Sequence, residues 1–303
     1  MSASIAFFRG EYVSLDQANI SIATHALNYG TGCFEGIRAY YNATRQQGYI
    51  FRMAEHYERL LASCRILRIE IPHSVTDLCQ ITVELMKRNA FREDVYIRPL
   101  AFKAEPVIKV TLEGIEDAFG VFALPFGEYL PLRGIRVMTS SWQRIDDNAI
   151  PARAKVTGSY INTALAVSDA HAAGFDDCIF LNPDGHVSEG SAANLFMVRQ
   201  GVLVTPPVTD NLLEGITRQS ILQLAEEHGI SVAERHIDRS ELYVADEVFL
   251  AGTGVQVVPI VEIDGRRVGG KGEGAITRRL KQAYLACARG DDPRHQDWLT
   301  AVK

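Results

Sequence analysis

The stretch "GYIFRMAEHYERLLASCRILRI", residues 48–69, changes from a strand pattern to a helical pattern at Met53. Before Met53, short apolar runs alternate with turn residues, which predicts strands over residues 5–50. After it, the apolar side chains fall on one stripe of a helix, namely Tyr57, Leu60, Leu61, Cys64 and Leu67. Residues 74–90 repeat the helical pattern, and residues 95–102 and 118–126 return to strands. The first part of the chain is therefore predicted to be an α+β unit.

A stretch with glycines and prolines, "PFGEYLPLRG", predicts a connection between two domains. We place the small N-terminal α+β domain at residues 1–124, the interdomain loop at 125–136 and a larger domain at 137–303. The larger domain is predicted to contain a helix after "KVTG", a hairpin that turns at Asn182–Gly185, a helix that ends at Gly229, and a strand that runs into the turn "GTG". The polar tail after Gly290 is expected to fray. The predicted fold class is α/β (α+β) with two domains.

The composition limits the classes of partner. The chain has 303 residues, 47% of them apolar, a formal charge of -6 and no block of five like charges, which argues against a nucleic-acid or anionic-membrane surface. The sequence shows neither a signal-peptide pattern nor an apolar run of membrane-spanning length, so we expect a cytoplasmic protein. Five scattered cysteines without CxxC spacing, and eight histidines without HxH or HxxxH pairs, suggest neither a disulfide framework nor a metal site.

Lysine is scarce in this chain, and one lysine stands out. Of the 31 basic residues only 7 are lysines, and Lys155 lies in "IPARAKVTGSY" with no acidic residue between Asp147 and Asp169. A lysine loses its proton readily when it is desolvated, and it then offers a nitrogen nucleophile or a proton carrier. The residues alone are equally compatible with a buried stem whose ammonium reaches solvent.

Two glycine-bounded turns are candidate phosphate sites. "EGITRQS" places Gly215, Ile216 and Thr217 where a loop enters a helix, and backbone amides at a helix start favour an anion. Thr253 lies between two glycines just after a strand. Ordinary turn geometry explains either one alone, and neither belongs to a dinucleotide or P-loop fingerprint.

Three further residues have competing explanations. Glu189 is flanked by small residues on a predicted half-buried strand, where a carboxylate needs a partner. The spacing of Arg59 favours an exposed i,i+4 pair with Glu55 on a helix. Tyr160, five residues after Lys155, is compatible with a core position.

Seven blocks resemble a known family in order from about residue 8 to 285. The resemblance is to the branched-chain amino-acid aminotransferases, which are fold-type IV pyridoxal-phosphate enzymes. It implies a two-domain architecture whose larger domain has a pseudo-barrel sheet. The blocks are "THALNYGTGCFEGIRAYY", "YIRPL", "SSWQR...IPARAKVTGSYINTALA", "VSEGSAANLF", "GVLVTPP", "LLEGITRQSI" and "LYVADEVFLAGT".

The resemblance implies a complete cofactor site for pyridoxal 5'-phosphate. Lys155 would hold the cofactor as an aldimine and then carry a proton between substrate and cofactor. Glu189 would face the pyridine nitrogen, and Tyr160 would bind the phenolic oxygen. The phosphate would contact Arg59, Ile216, Thr217 and Thr253.

The resemblance also implies a substrate pocket and a homodimer or higher homo-oligomer. Arg98 would bind the second carboxylate of glutamate or 2-oxoglutarate, while aromatic walls would serve the aliphatic chain. The site would take amino acids and 2-oxo acids and would include residues from a neighbouring subunit. The implied substrate residues are Tyr29, Phe34, Gly36, Arg38, Tyr96, Arg98, Tyr129, Thr253 and Gly254.

Two departures from the family pattern leave the substrate range open. Ala193 stands where relatives usually have a glutamate, and "KAEPVIKVTLEG" replaces a glycine-rich loop after Phe102. Same-fold enzymes for (R)-primary amines, aromatic or D-amino acids, and an aminodeoxychorismate lyase, remain alternatives. An Arg-x-His clamp typical of D-amino-acid transaminases does not occur at Arg98, which argues against that alternative. A protein without enzyme activity would be expected to lose Lys155 or Glu189, and both are present.

Overall fold

A computed structural model describes residues 4–127, 130–131, 134–270 and 272–302. The chain divides into two compact units. Unit 1 comprises Met1–Gly127, Ala154–Ser159 and Cys287–Lys303, and unit 2 comprises Glu128–Arg153 and Tyr160–Ala286. The segment that carries Lys155 therefore packs with unit 1, although the chain on both sides of it belongs to unit 2.

Unit 1 is built on an antiparallel sheet. In the described residues the sheet has eight strands in the order β17-β5-β4-β6-β7-β1-β2, and β3 pairs with β6. The helices of this unit are α1 (His25–Tyr29), α2 (Met53–Ile66) and α3 (Val75–Asn89). The strands are β1 (Ile5–Phe8), β2 (Glu11–Ser14), β3 (Gly32–Phe34), β4 (Ile37–Asn42), β5 (Gln47–Phe51), β6 (Val95–Lys103), β7 (Asp117–Pro125) and β17 (Leu299–Val302).

The two long helices of unit 1 follow from local sequence signals. The apolar stripe of α2 buries Tyr57, Leu60 and Cys64 in the core of this unit. Ser74 caps α3 through a capping box with Asp77, which satisfies amides that the helix itself leaves unpaired. The predicted helices at 53–69 and 74–90 and the predicted strands at 95–102 and 118–126 are thus confirmed. The short helix α1 interrupts the region predicted as strands.

The prediction that the tail after Gly290 frays is wrong. Strand β17 pairs with β5, and the Arg52 amide donates to the Trp298 carbonyl over 2.7 Å. The Trp298 side chain is only 6% exposed, with its ring 5.8 Å from that of Phe51 and 4.0 Å from that of His295. Burial of the Trp298 ring helps to anchor the tail, because it removes apolar area from water.

Unit 2 contains a mixed sheet. Its described part has nine strands in the order β10-β9-β8-β15-β14-β11-β12-β13, and β16 pairs with β15. Its helices are α4 (Tyr160–Ala172), α5 (Ile216–Glu227) and α6 (Ala275–Ala288), at whose end the chain returns to unit 1. The strands are β8 (Ile135–Thr139), β9 (Asp177–Leu181), β10 (Val187–Gly190), β11 (Asn194–Arg199), β12 (Val202–Thr205), β13 (Val232–Glu234), β14 (Glu247–Gly252), β15 (Gln256–Ile263) and β16 (Arg266–Arg267).

The predicted turns of unit 2 are confirmed. Strands β9 and β10 form the hairpin around Asn182–Gly185, and Gly185 has a φ of 90°, which favours glycine. Gly229 follows the end of α5 with a φ of 68°. Within the part of the chain that the structure describes, no helix is long and apolar enough to cross a bilayer.

Candidate active site

The backbone around Lys155 is fixed by unit 1. The Lys155 amide donates to Ser63 Oγ on α2 over 3.3 Å, and its carbonyl accepts from the Phe34 amide over 3.1 Å. The Lys155 Nζ atom lies 5.0 Å from the centroid of the Phe34 ring, at cation–π distance. Lys155 is half-buried. Its ammonium is therefore placed against an aromatic face, which favours partial desolvation.

Two glycines allow the lysine segment to approach α1 and β3. A Cβ on Gly30 would lie 2.6 Å from the Gly158 Cα, so a side chain there would push the two backbones apart. Thr157 Oγ1 donates to the carbonyls of Gly30 and Gly32 over 3.0 and 3.1 Å. The position of Lys155 thus depends on a close backbone contact that only glycine permits.

Arg59 belongs to a buried charge network in unit 1. Its Nε and Nη2 donate to the two oxygens of Glu35 over 2.7 and 2.8 Å, and His56 Nδ1 lies 2.7 Å from Glu35 Oε2. Glu35 is fully buried, and the Arg59 side chain is 12% exposed. The sequence-based pairing of Arg59 with Glu55 is wrong, because Glu55 pairs with Arg52 at 2.7 Å.

Two pKa shifts describe the charge state of this network. Burial alone would raise the pKa of Glu35, but the Arg59 charge and hydrogen bonds from His56 and Arg59 outweigh it and lower the pKa below its ordinary value. Burial lowers the pKa of His56 in spite of the neighbouring Glu35 carboxylate. The network at pH 7 is therefore an ionised Glu35 held by Arg59 and by a neutral His56 that donates through Nδ1.

A second cluster in unit 1 gathers four of the predicted substrate residues. The Arg98 guanidinium carbon lies 4.3 Å from the Phe34 ring centroid and 5.1 Å from that of Tyr96. Arg98 Nη2 donates to Tyr96 Oη over 3.2 Å. A Cβ on Gly36 would lie 2.0 Å from Tyr96 Oη, so Gly36 is needed for the tyrosine to take this position. Phe34, Gly36, Tyr96 and Arg98 form what we call the Arg98 cluster.

Two more described residues predicted to bind substrate, Arg38 and Tyr29, belong to unit 1, and Arg38 is in register with Tyr96 on the neighbouring strand. The Arg38 side chain is 4% exposed and donates to the carbonyls of Phe126 and Gly127 over 3.2 and 3.0 Å. Arg38 therefore fixes the backbone at the end of the first segment of unit 1. Tyr29 ends α1 and packs its ring 4.7 Å from that of His25. Tyr129 lies outside the described residues.

Glu189 in unit 2 has the partners that its burial demands. The carboxylate is on β10 and the residue is 4% exposed. Arg144 Nη2 lies 2.8 Å from its Oε1, and Asn194 Nδ2 donates to its Oε2 over 2.9 Å. The sequence predicted that a partner was needed but identified neither residue. Arg144 is 45 positions away, and the five-residue spacing to Asn194 is not a pattern that predicts contact.

The start of α5 lies beside the Glu189 network. Gly215 is the N-cap residue, and the cap has no side-chain hydrogen bond. Ile216 and Thr217, whose amides open the helix, are 5% and 3% exposed. A Cβ on Gly215 would lie 2.0 Å from Asn194 Oδ1. An uncapped helix start with buried first residues can hold an anion.

Two more predicted residues belong to the same region of unit 2. Thr253 and Gly254 form the turn between β14 and β15, and a Cβ on Gly252, the preceding residue, would lie 3.0 Å from the Ala193 Cβ. Tyr160 begins α4, and Thr163 in the same turn donates to the Ser191 carbonyl over 3.1 Å. Unit 2 thus brings together the first turn of α4, residues 189–194, the start of α5 and the turn at Thr253.

The sequence matches a family model over most of its length. Residues 32–263 match the family described as Amino-transferase class IV. The chain belongs to this family. Class IV aminotransferases depend on pyridoxal phosphate, and one similar structure contains pyridoxamine 5'-phosphate.

Curated relatives cover nearly the whole chain. A probable branched-chain-amino-acid aminotransferase of Aquifex aeolicus is 45% identical over 99% of this chain and 97% of its own length. The branched-chain-amino-acid aminotransferase of Pseudomonas aeruginosa is 39% identical over the same shares.

Solved structures confirm the fold-type IV architecture. The branched-chain aminotransferase of Thermoproteus uzoniensis with norvaline has a TM-score of 0.96 at 40% identity, and all of both chains is covered. The branched-chain amino acid aminotransferase of Thermobaculum terrenum in its PLP-form has a TM-score of 0.95 at 35% identity, over 99% of each chain. The predicted α/β (α+β) fold class with fold-type IV architecture is therefore confirmed.

The side chains of this class IV aminotransferase suit its cofactor. A lysine for the carbonyl carbon, a buried carboxylate for the ring nitrogen and an uncapped helix start for the phosphate are all present, at Lys155, Glu189 and Ile216. Each is the residue type that the corresponding part of pyridoxal phosphate requires.

Proposed function

We propose that this class IV aminotransferase moves the amino group between branched-chain amino acids (leucine, isoleucine and valine) and 2-oxoglutarate. The full-length relatives that carry this activity in their names support the proposal. The observation that carries it is that unit 1 holds Lys155 against Phe34 while unit 2 holds Glu189 as a paired carboxylate. These are the amine and the ring partner that transamination needs. The same relatives favour this reaction over (R)-amines, D-amino acids and a lyase.

In the proposed reaction each cofactor-facing residue has a defined role. Bound pyridoxal phosphate supplies an electron-accepting ring that stabilises negative charge at the substrate Cα. Lys155 Nζ would hold the cofactor at its carbonyl carbon, C4′, and after a substrate amine displaces it the freed amine would carry a proton between the substrate Cα and C4′. Glu189 would accept a hydrogen bond from the protonated ring nitrogen, and Tyr160 would donate to the phenolic oxygen.

The cofactor phosphate is proposed to bind Arg59, the amides of Ile216 and Thr217, and Thr253. An uncapped helix start contributes only about 0.3–1 kcal/mol to an exposed anion, so the contacts must act together. Arg59 adds a guanidinium whose charge is shared with Glu35. Its contact with Glu35 fixes the direction of the guanidinium, since both Nε and Nη2 point to that carboxylate.

The Arg98 cluster is proposed to bind the substrate. Phe34 and Tyr96 offer apolar faces for an aliphatic side chain, and Arg98 offers a charge for the second carboxylate of glutamate or 2-oxoglutarate. The Arg98 Nε has no hydrogen-bond partner among the described residues, which supports a role in binding a ligand. The remaining proposed substrate residues are Tyr29, Gly36, Arg38, Tyr129, Thr253 and Gly254.

We also propose a homodimer or higher homo-oligomer. Four side chains of unit 1 are strongly exposed for apolar residues: Ile22 at 87%, Leu27 at 60%, Ile108 at 73% and Val110 at 88%. Their two segments are joined, because the His25 amide donates to the Glu105 carbonyl and His25 Nε2 lies 2.7 Å from the Lys109 carbonyl oxygen. Adjacent exposed apolar side chains of this kind are typical of an interface.

A donor panel with 2-oxoglutarate as acceptor tests the proposed function. We expect rapid glutamate formation from leucine, isoleucine and valine, and little from D-alanine or (R)-1-phenylethylamine. Lys155→Ala is the control and should yield no glutamate from any donor. Faster turnover of D-alanine or the amine than of leucine would contradict the proposed substrate class.

A further inference from the structure

The two oxygens of the Glu189 carboxylate are held by two different side chains. Arg144 Nη2 lies 2.8 Å from Oε1, and Asn194 Nδ2 donates to Oε2 over 2.9 Å. Arg144 is itself fixed, because its Nε donates to the Asn211 carbonyl over 3.2 Å and its guanidinium lies 5.7 Å from the Phe180 ring centroid. A buried carboxylate with a charged partner at this distance is stabilised in its ionised form. Arg144 thus favours a carboxylate that accepts hydrogen bonds.

Asn194 also contacts the chain at the start of α5. Its Nδ2 donates to the Leu213 carbonyl over 2.9 Å, in addition to Glu189. Its Oδ1 lies only 2.0 Å from the position that a Cβ on Gly215 would occupy, so the N-cap residue has no room for a side chain. Asn194 is 4% exposed, and its backbone is in register with Ala251 of β14. One amide side chain therefore connects the Glu189 carboxylate to the helix start.

We propose that Arg144 and Asn194 are positioning residues for the cofactor. Arg144 supplies the counter-charge that fixes Glu189 Oε1, and Asn194 sets the spacing between Glu189 and the amides of Ile216 and Thr217. The inference rests on the proposed function, in which Glu189 contacts the ring nitrogen and the start of α5 binds the phosphate. Pyridoxal phosphate carries the nitrogen in its ring and the phosphate on a short methylene–oxygen arm, so the distance between the two groups can vary only within a narrow range. Both contacts form together only if the protein holds their partners at a fixed separation, which is preorganisation of the site.

A comparison of two cofactors separates this role from a general structural one. The dissociation constants of pyridoxal 5'-phosphate and of its 1-deaza analogue, in which a C–H group replaces the ring nitrogen, are measured for the cofactor-free protein. Their ratio reports the contact with Glu189, because the phosphate and the carbonyl are the same in both. Wild-type protein should prefer the natural cofactor, and Glu189→Gln should lose that preference.

Arg144→Met and Asn194→Ala should each reduce the wild-type ratio by about tenfold, as expected for a lost hydrogen bond to a charged group. Arg144→Lys should retain most of the preference, because the charge remains. Arg199→Met is the matched control, since Arg199 pairs with Glu241 in the same unit and should leave the ratio unchanged. If Asn194→Ala does not fold, Asn194→Ser carries the same expectation.

The outcomes distinguish this inference from the proposed function. If Arg144→Met and Asn194→Ala weaken both cofactors equally, their role is only structural and the inference is wrong, while the role of Glu189 stands. If wild-type protein does not distinguish the two cofactors, the contact between Glu189 and the ring nitrogen is wrong as well, and the inference falls with it.

Discussion

Glu35 carries a buried charge that the sequence did not reveal. It lies between Phe34 and Gly36 in the block "FEGIR", but its partners His56 and Arg59 are 21 and 24 positions away. Spacing along α2 instead suggested a pair between Arg59 and Glu55. Only the packing of α2 against β3 and the residues after it brings Arg59 to Glu35, so the correct pairing required the tertiary structure.

Glu35→Gln should strongly destabilise the fold, because it leaves the mostly buried Arg59 without a counter-charge. We expect a loss of about 3–5 kcal/mol in the free energy of unfolding at pH 7, measured by urea denaturation. The control Glu84→Gln removes an exposed pair with Arg88 and should cost about 0.5 kcal/mol or less. The folded pKa of Glu35 lies below its ordinary value, so this contribution is complete above about pH 4.3 and declines as the pH falls further. Equal losses for both variants would contradict the account.

Arg98→Ala tests the substrate assignment selectively. Loss of the guanidinium should lower kcat/KM for 2-oxoglutarate by about 10- to 100-fold, because a charge-assisted contact to its second carboxylate disappears. An aliphatic 2-oxo acid lacks that carboxylate and should be much less affected. Steady-state kinetics with both acceptors measure the difference, and Arg92→Ala at an exposed position is the control. Equal losses for the two acceptors would refute the role of Arg98.

Helices and hairpins that follow from local sequence signals could be predicted from the sequence. The pairing of strands that are far apart in the chain could not. The apolar stripe predicted α2, the capping box with Asp77 marks the start of α3, and Asn182–Gly185 predicted the hairpin, since these signals act within a few residues. The tail gave no such signal because it is polar. Its order comes from Trp298 and from pairing of β17 with β5, a strand about 250 positions earlier.

Trp298→Ala should therefore destabilise unit 1. Trp298 is 6% exposed and contacts Phe51, Arg52 and His295, so its removal leaves a cavity. We expect a loss of about 3–5 kcal/mol in the free energy of unfolding. The matched control is Trp142→Ala, because Trp142 is 41% exposed and should cost about 1 kcal/mol or less. If thermal or urea unfolding shows similar small effects for both, the tail does not have the structural role described.

At the scale of the whole molecule, the resemblance of seven collinear blocks predicted what single motifs could not. Taken alone, the sequences around Gly215 and Thr253 were compatible with ordinary turns, and that around Lys155 with a lysine whose ammonium reaches solvent. The structure adds the roles of Arg144 and Asn194, which lie in the blocks "SSWQR" and "VSEGSAANLF" but were not predicted to contact Glu189. Arg144 lies in the loop after β8 and Asn194 begins β11, so their contacts with Glu189 on β10 depend on tertiary packing and not on local sequence.

The exposed apolar residues of unit 1 give a prediction about assembly. Ile108→Glu combined with Val110→Glu should convert an oligomer into monomers at micromolar concentration, because charges cannot be buried there without partners. Light scattering coupled to size-exclusion chromatography measures the molar mass. Val244→Glu, which changes another exposed apolar residue, should leave the mass of the wild type unchanged. A monomeric wild type, or a double variant that retains the oligomeric mass, would contradict the proposed interface.

The most direct test of the central claim is to fix the cofactor on the protein with borohydride and to map the modified peptide by mass spectrometry. We expect a purified protein with a visible cofactor band and a pyridoxyl group on the peptide that contains Lys155. Lys155→Ala should keep the fold, lose the covalent label and catalyse no transamination. A colourless protein that binds no added pyridoxal phosphate, or a label on another lysine with full activity in Lys155→Ala, would contradict the account.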